Sequence, residues 1–346
     1  MADDLRTQIR AMPKIELHRH LEGSLRLETL LSIAVEYDIT LPSFSVEGLR
    51  PHVQVTPLEE RTWERFLSKF GVLRQFYRSD SVIKRVTQEV IADAAADNIK
   101  YMELRFTPQA LNNIVNESFS QVVEWVCEAT KAATTQHDIR VNLILSMNRH
   151  ESLAIGEAVL EAALEFASSG VVGIDLAGRE ADFPARPFQP LFERAKAAGL
   201  GVTIHAGEWA GADSVRDAVE ILHTDRIGHG IRAVEDEALV EQLVEAGTVL
   251  EVCPTSNIDS GVIRDLSVHP LVALYRSGVK TTINTDDPLV SDITLSDEIE
   301  RIIGKTTLTL EDVKQQMLTA ARAAFLPRHE RESLVEQFQY WLYETT

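Results

Sequence analysis

The feature that most constrains this fold is a regular alternation of short apolar runs with stretches of helical periodicity. Such alternation is typical of parallel sheets, and eight units predict a closed (β/α)8 barrel of the TIM type, an α/β fold. An open doubly wound sheet is the alternative, but no Gly-x-Gly-x-x-Gly follows the first run, as a dinucleotide site would require. The predicted strands are residues 13–20, 99–106, 139–145, 171–176, 202–205, 226–229, 249–253 and 279–284.

Segments outside this alternation predict additions to the barrel. Residues 25–98 contain no convincing strand, and a proline-containing connection lies around 42–57. Helical periodicity in this segment occurs at 28–37, 62–77 and 81–97. Two extra C-terminal helices are predicted on either side of Pro327, whereas residues 1–11 are polar and are expected to fray. We therefore predict one domain over 1–346, with a helical lid insertion after strand 1 at about 25–98.

Composition narrows the class of protein. Of the 346 residues, 45% are hydrophobic and 25% charged, as in ordinary globular proteins, and the formal net charge of −19 argues against a nucleic-acid partner. No run approaches the roughly 18 apolar residues that a membrane span needs, and no apolar leader follows the charged N-terminus. Cys127 and Cys253 do not form a disulfide framework, so a cytoplasmic location is predicted. The sequence indicates no oligomeric state.

Polar residues follow several of the predicted strands, where a barrel carries its active site. His18 and His20 are two apart at the end of the first strand, so their side chains point to the same face. His205 ends the fifth strand and Asp286 follows the eighth, which neighbours the first in a closed barrel. Three imidazoles and one carboxylate suit Zn²⁺ with an open position for water. Satisfying nearby backbone groups is the alternative role for any one of them.

Further residues at these strand ends could carry protons. Glu208 lies three residues after His205, and His229 ends the sixth strand. Asp287 can serve the same site if the chain turns after Asp286. Carboxyl groups and imidazoles beside a metal are typical of general acid–base catalysis, so the residues predict metal-assisted hydrolysis without naming a substrate. We interpret Cys253 as a core residue.

Six segments together resemble the adenosine deaminase family, in order and over about residues 12–325. They are Glu16-Leu-His-Arg-His-Leu-Glu-Gly-Ser24, Ile174-Asp-Leu-Ala-Gly178, His205-Ala-Gly-Glu208, Gly228-His-Gly230, Cys253-Pro-Thr-Ser-Asn257 and Asn284-Thr-Asp-Asp-Pro288. The resemblance implies a zinc-bearing (β/α)8 barrel, with one zinc per subunit, that converts adenosine and 2′-deoxyadenosine to inosine-type products and ammonia in purine salvage. A small purine nucleoside would be its partner, with neither nucleic acid nor membrane involved.

The same resemblance implies a role for each matched residue. The zinc ligands would be His18, His20, His205 and Asp286. Glu208 would protonate N1 of the purine, and His229 would act with Asp286 to orient and deprotonate the attacking water. Asp287 would hydrogen-bond N7, and the backbone of Gly178 would meet N3. His52, His137, His150, His223, His269 and His329 match no such position, so structural or surface roles are expected for them.

Two further features concern contacts to the substrate, namely one helix of the insertion and Glu22, which lies beside the His-x-His segment. Phe66 and Phe70 share one helix face and resemble the helix that gates the pocket in this family, although their pattern alone favours ordinary core packing. Glu22 stands where the family usually has an Asp that contacts ribose. The longer carboxylate resembles relatives that deaminate free adenine or aminodeoxyfutalosine, a 5′-modified nucleoside. Against free adenine, Thr255 stands where that branch usually has Leu. The alternative substrates are therefore adenine, aminodeoxyfutalosine and other 5′-modified adenosines.

Overall fold

A computed structural model describes residues 2–344 and shows eight parallel strands in the order β1 to β8. Every predicted strand is present within a few residues of its predicted ends. The strands are β1 Lys14–His20, β2 Ile99–Phe106, β3 Arg140–Asn148, β4 Val171–Ala177, β5 Gly201–Ala206, β6 Arg226–His229, β7 Val249–Val252 and β8 Lys280–Ile283. The strands neighbour one another in the order of the sequence, and helices lie in the crossovers between them, as the alternating pattern predicts.

The barrel closes where the chain leaving β8 meets the end of β1. The backbone N–H of Asp286 donates to the carbonyl of His18 (3.0 Å), and the N–H of His20 donates to the carbonyl of Asp286 (2.8 Å). These bonds form a parallel bridge between Arg19 and Asp286. The predicted TIM-type barrel is confirmed, and the open sheet is wrong. Closure also places two predicted metal-binding segments side by side.

Helices surround the barrel and fill the long connection after β1. They are α1 Ala2–Ala11, α2 Leu27–Glu36, α3 Val46–Val53, α4 Trp63–Leu73, α5 Asp80–Ala96, α6 Pro108–Val115, α7 Phe119–Gln136, α8 Leu153–Glu165, α9 Gln189–Ala197, α10 Ala212–Glu220, α11 Glu237–Ala246, α12 Pro254–Asp259, α13 Leu271–Arg276, α14 Pro288–Ser291, α15 Leu295–Lys305, α16 Leu310–Ala323 and α17 Arg328–Tyr343. The insertion thus contains α2 to α5, and α16 and α17 are the two predicted C-terminal helices. None of the helices in residues 2–344 is long and apolar enough to cross a membrane.

The prediction was wrong for the N-terminus and incomplete for the connection at 42–57. Residues 2–11 form α1 because Ile9 is buried in the core and the Lys14 ammonium caps the helix end, donating to the carbonyls of Ile9 (3.0 Å) and Met12 (2.8 Å). The connection contains α3, whose first turn is capped by the Ser45 hydroxyl (3.1 Å to Gly48 N) despite its internal proline. Both helices depend on tertiary contacts, which helix propensity alone does not predict.

Candidate active site

The four predicted metal ligands converge at the C-terminal end of the barrel. One ligand atom from each of His18, His20, His205 and Asp286 lies within 4.8 Å of the others. The Nε2 atoms of His20 and His205 face each other at 3.3 Å, and Asp286 Oδ1 lies 3.2 Å from His18 Nε2. The buried Nε2 of His18 makes no hydrogen bond. Such converging nitrogen and oxygen donors fit a single ion of the zinc class.

Carboxylates behind two of these imidazoles fix their orientation. Nδ1 of His18 lies 2.9 Å from Glu251 Oε2, and Nδ1 of His205 lies 2.9 Å from Asp175 Oδ1. Glu251 is itself held by the buried guanidinium of Arg105 (2.6 Å). A proton kept on Nδ1 leaves the Nε2 lone pair free for a metal, as in other metal-binding histidines. This support favours the predicted ligand set.

A second group of possible ligands shares two members of the first. It consists of His18, His229, Cys253 and Asp286, again within 4.8 Å. Burial raises the pKa of the Cys253 thiol well above its ordinary range, which disfavours the thiolate that a metal would need. Cys253 is fully buried, and its Sγ donates to the carbonyl of Glu251 (3.6 Å). Its predicted core role agrees with this environment.

The turn after β8 directs two consecutive carboxylates into the site. Asp286 has a left-handed backbone (φ 67°), which is uncommon for a residue other than glycine and is typical of functional sites. Both Asp286 and Asp287 therefore line one cavity, as the predicted turn required. A Cβ atom on Gly23 would lie 1.8 Å from Asp287 Oδ1, so this position must be glycine. The glycine after the His-x-His segment thus makes room for a carboxylate of the site.

A cavity of about 340 Å³ opens above the metal-ligand cluster. Except for His18, which is buried beneath it, the structure brings every predicted site residue to its wall. These residues are His20, Glu22, Phe66, Phe70, Gly178, His205, Glu208, His229, Asp286 and Asp287. The rings of Phe66 and Phe70, from α4, lie 6.2 Å apart on the same wall. The cavity is therefore partly apolar, with Glu208 and His229 next to the potential ligand Asp286 at one end.

The two predicted proton carriers are adjacent. Glu208 Oε2 lies 3.5 Å from His229 Nε2. Burial raises the pKa of the Glu208 carboxyl well above its usual range, and the negative charge of Asp286 raises it further. Burial also lowers the pKa of His229 well below its usual range and raises that of Asp287 well above it. Burial therefore favours the protonated forms of Glu208 and Asp287 and the neutral form of His229, and each of the two carboxyl groups could donate a proton when protonated.

A chain of hydrogen bonds fixes the tautomer of His229. The backbone N–H of Leu271 donates to Nδ1 of His269 (3.0 Å), so the proton of this neutral ring is on Nε2. That Nε2 donates to Oδ1 of Asn257 (3.2 Å), which leaves the Asn257 amide nitrogen to donate to Nδ1 of His229 (3.1 Å). His229 must then carry its proton on Nε2, toward the cavity. His269 has the structural role expected for it, and it also acts on the site through Asn257.

Several cavity groups were not anticipated. Arg74 and His150 line the wall, and Arg74 Nε and His150 Nδ1 are buried without hydrogen-bond partners. The structural or surface role expected for His150 is incomplete, because the residue lines the cavity beside Gly178, where a Cβ would lie 2.8 Å from His150 Nδ1. Glu22 accepts a hydrogen bond from the Thr107 backbone N–H (2.6 Å) through Oε1, whereas its buried Oε2 has no partner. Burial raises the pKa of Glu22 to about 7. No spacing in the sequence indicates Arg74 or His150, which reach the cavity from separate elements.

Comparison with known proteins gives consistent matches over almost the whole chain. The family model described as adenosine deaminase matches residues 13–341. An adenosine deaminase from Clostridium perfringens is 36% identical over 323 residues, covering 93% of this chain and 97% of its own. An adenine deaminase structure from Arthrobacter aurescens superposes with a TM-score of 0.84 at 26% identity, covering 96% of this chain and 99% of its own. An amidohydrolase from Burkholderia ambifaria with bound zinc gives 0.87 at 25% identity, covering 97% and 93%.

Proposed function

The chain belongs to the adenosine deaminase family and is an aminohydrolase, and from this premise we propose that it deaminates adenosine and 2′-deoxyadenosine hydrolytically. The reaction adds water at C6 of the purine and releases ammonia, giving inosine or its 2′-deoxy form. The observation that carries the proposal is the position of the Glu208 carboxyl 3.5 Å from His229 Nε2, beside the cluster of potential metal ligands. An acid, a water-orienting imidazole and a metal position are the groups that this hydrolysis requires.

We infer that the metal is one zinc ion per subunit, held by His18, His20, His205 and Asp286. The inference is supported by the convergence of these donors and by the carboxylates behind His18 and His205. When bound, zinc would act as a Lewis acid and lower the pKa of water toward about 7. The zinc in the Burkholderia ambifaria amidohydrolase is consistent with this choice of metal.

The chain's own residues supply the proton chemistry of the proposed reaction. The protonated Glu208 carboxyl would donate to N1 of the purine, which makes C6 more electrophilic. The Nε2–H of His229 would orient the attacking water, and the carboxylate of Asp286, whose Oδ2 accepts a hydrogen bond from the Ser256 hydroxyl (2.7 Å), would take the proton that the water loses. That proton would leave with the 6-amino group as ammonia. In the proposed pose the carboxyl of Asp287, when protonated, would donate a hydrogen bond to N7 of the purine. N7 carries a lone pair and no hydrogen, so it can only accept such a bond. The burial of these groups keeps competing bulk water away from their protons.

The remaining cavity wall would hold the purine and its sugar. The aromatic rings of Phe66 and Phe70 would contact the apolar faces of the base, and the backbone N–H of Gly178 would meet N3. Four buried polar atoms of residues that line the cavity would still lack partners, namely Glu22 Oε2, Arg74 Nε, His150 Nδ1 and Trp209 Nε1. Unpartnered buried polar atoms are rare in native proteins, so a polar group on N9 of the purine is expected to satisfy them. Ribose provides such a group and free adenine does not, which supports a nucleoside substrate.

A parallel ultraviolet assay of the zinc-loaded protein tests the proposal. The substrates are adenosine, 2′-deoxyadenosine, adenine and a series of 5′-modified adenosines, at equal enzyme concentration. We expect the two nucleosides to lose the 6-amino group with the highest kcat/KM. If none of these compounds loses its 6-amino group, the proposed reaction is refuted. A higher kcat/KM for adenine or for a 5′-modified nucleoside would replace adenosine by that alternative, to which the Glu22 side chain and the Arthrobacter aurescens structure point.

We also propose that the enzyme works in the cytoplasm. The support is that Cys127 and Cys253 are both free thiols, buried in the protein, as is usual in a reducing compartment. Fractionation of the native cells with an antibody to this chain tests the location, and recovery in a secreted fraction would contradict it.

A further inference from the structure

The turn that carries Glu208 is held by one buried carboxylate. Glu180 lies in the loop after β4, is 5% exposed and accepts five hydrogen bonds of 2.5 to 3.0 Å. The donors are the backbone N–H groups of Gly207, Glu208, Trp209 and Ala210 and the hydroxyl of Ser214. Four consecutive N–H groups around one anion leave the segment after β5 little freedom to move.

This arrangement requires a special backbone. Gly207 has a left-handed conformation (φ 68°), and a Cβ there would lie 2.3 Å from Val215 Cγ2. The glycine therefore allows the chain to turn so that its next three N–H groups point at Glu180. The Glu208 side chain leaves from the middle of this turn and reaches the cavity, whereas Glu180 does not line the cavity wall. Glu180 thus acts on the backbone of the acid and not on the substrate.

We propose that Glu180 is a positioning residue for the proton donor Glu208, an inference that rests on the proposed deaminase function. A general acid must lie within hydrogen-bond reach of the atom that it protonates, and an error of about 1 Å can lower the rate roughly 100-fold. The Glu180 carboxylate fixes this distance through the N–H groups of the turn. Its negative charge also favours the protonated form of Glu208, because it lies among the charges that raise that pKa.

Glu180→Gln is the informative substitution. The glutamine keeps the size of the side chain but replaces one accepting oxygen with an NH2 group, which faces N–H donors and cannot accept from them. We expect kcat to fall about 100-fold while KM for adenosine stays within about threefold, because the groups that contact the sugar and the purine faces are unchanged. Zinc content should equal that of the wild type. The matched control is Glu241→Gln, an exposed glutamate of α11, for which both kinetic constants should be unchanged.

Amide hydrogen exchange gives a second readout that needs no turnover. In Glu180→Gln the amides of residues 207–210 should exchange at least about 10-fold faster, with other segments of the barrel unchanged. Faster exchange with an unchanged kcat would show a merely structural role and overturn the proposal. An unchanged kcat with unchanged exchange would overturn it too, and so would a loss of zinc that accounts for the lost activity.

Glu180→Asp provides the test if the glutamine variant does not fold. Aspartate keeps the charge but withdraws the carboxylate by one methylene, so kcat should fall about 10-fold at nearly constant KM. A folded aspartate variant with wild-type kcat would contradict the role. A wild type inactive on all the purine compounds overturns both the proposed function and this inference, whereas an active wild type beside an unaffected variant overturns only the role of Glu180.

Discussion

The side-chain amide of Asn257 donates a hydrogen bond to Nδ1 of His229 (3.1 Å) and so decides which ring nitrogen faces the substrate cavity. Asn257→Asp would place an acceptor against Nδ1 and favour a proton there, leaving a lone pair on Nε2 where the wild type has N–H. Mutation of a group that fixes a histidine tautomer typically lowers activity 10- to 100-fold. We expect kcat to fall by about that factor.

Steady-state kinetics of Asn257→Asp, with circular dichroism to verify folding, tests this expectation. Asn112→Asp is the control, because Asn112 is partly exposed and its side chain bonds to the nearby backbone of Glu117, away from the cavity. Wild-type kcat in a folded Asn257→Asp protein would mean that the His229 tautomer does not limit the reaction.

Glu208→Gln should abolish turnover while leaving zinc bound. The amide is close to the size of the protonated carboxyl but cannot transfer its proton to N1, and general acid catalysis typically contributes 10²- to 10⁴-fold. Kinetics and metal analysis of the same preparation measure the two quantities together. Activity near the wild-type level would remove Glu208 from its proposed role, and loss of zinc would make the result uninformative about proton transfer but would place Glu208 in the metal site.

His205→Ala should lose zinc, because the substitution removes one of four converging donors and leaves Asp175 without its imidazole partner. Metal analysis after dialysis should show strongly reduced zinc, and the melting temperature should no longer rise when zinc is added, since an ion that binds only the folded state stabilises it. His329→Ala, at an exposed residue of α17, is the control and should keep its zinc. Wild-type zinc content in His205→Ala would contradict the proposed ligand set.

Strand periodicity was sufficient to predict the barrel and the residues at its mouth. His18 and His20 share a face because they are two apart on one strand, and such local geometry is readable from sequence. The Asp286 turn was predicted only as one of two possibilities. The contact between His18 and Glu251 was not predictable, because it joins residues 233 positions apart after the barrel closes. Isolated loop residues such as Glu180 have no periodicity at all, so only the folded chain reveals what they contact.

Phe66→Ala should raise KM for adenosine by about 10-fold with a smaller effect on kcat. The Phe66 ring is buried, lines the cavity and packs near Phe70, so its removal would take apolar contact from the purine in both ground and transition states. The control is Phe44→Ala, which removes the same ring from an exposed position in the same insertion. An unchanged KM in the folded Phe66→Ala variant would leave core packing as the role of this residue.

Glu298 should make the protein less stable above neutral pH. Its side chain is fully buried in α15, Oε1 accepts from the Thr255 N–H (3.1 Å), and burial raises its pKa to about 7. From about pH 4.5 to 7 the unfolded chain loses the proton while the folded protein keeps it, so the free energy of unfolding falls as the pH rises. Glu298→Gln keeps the accepting oxygen and removes this cost. The free energy of unfolding of the variant minus that of the wild type should be about 1–3 kcal/mol larger at pH 8 than at pH 5.

Urea unfolding at the two pH values measures this difference. Asp259 titrates in the same direction, since burial raises its pKa to about 6, and because it is present in both proteins the comparison with the wild type removes most of its contribution. Glu241→Gln serves as the exposed control and should shift the stability equally at both pH values. A Glu298→Gln protein whose stability tracks that of the wild type from pH 5 to 8 would show that Glu298 is already ionised in the fold, which would require a cation or water bound to its buried Oε2.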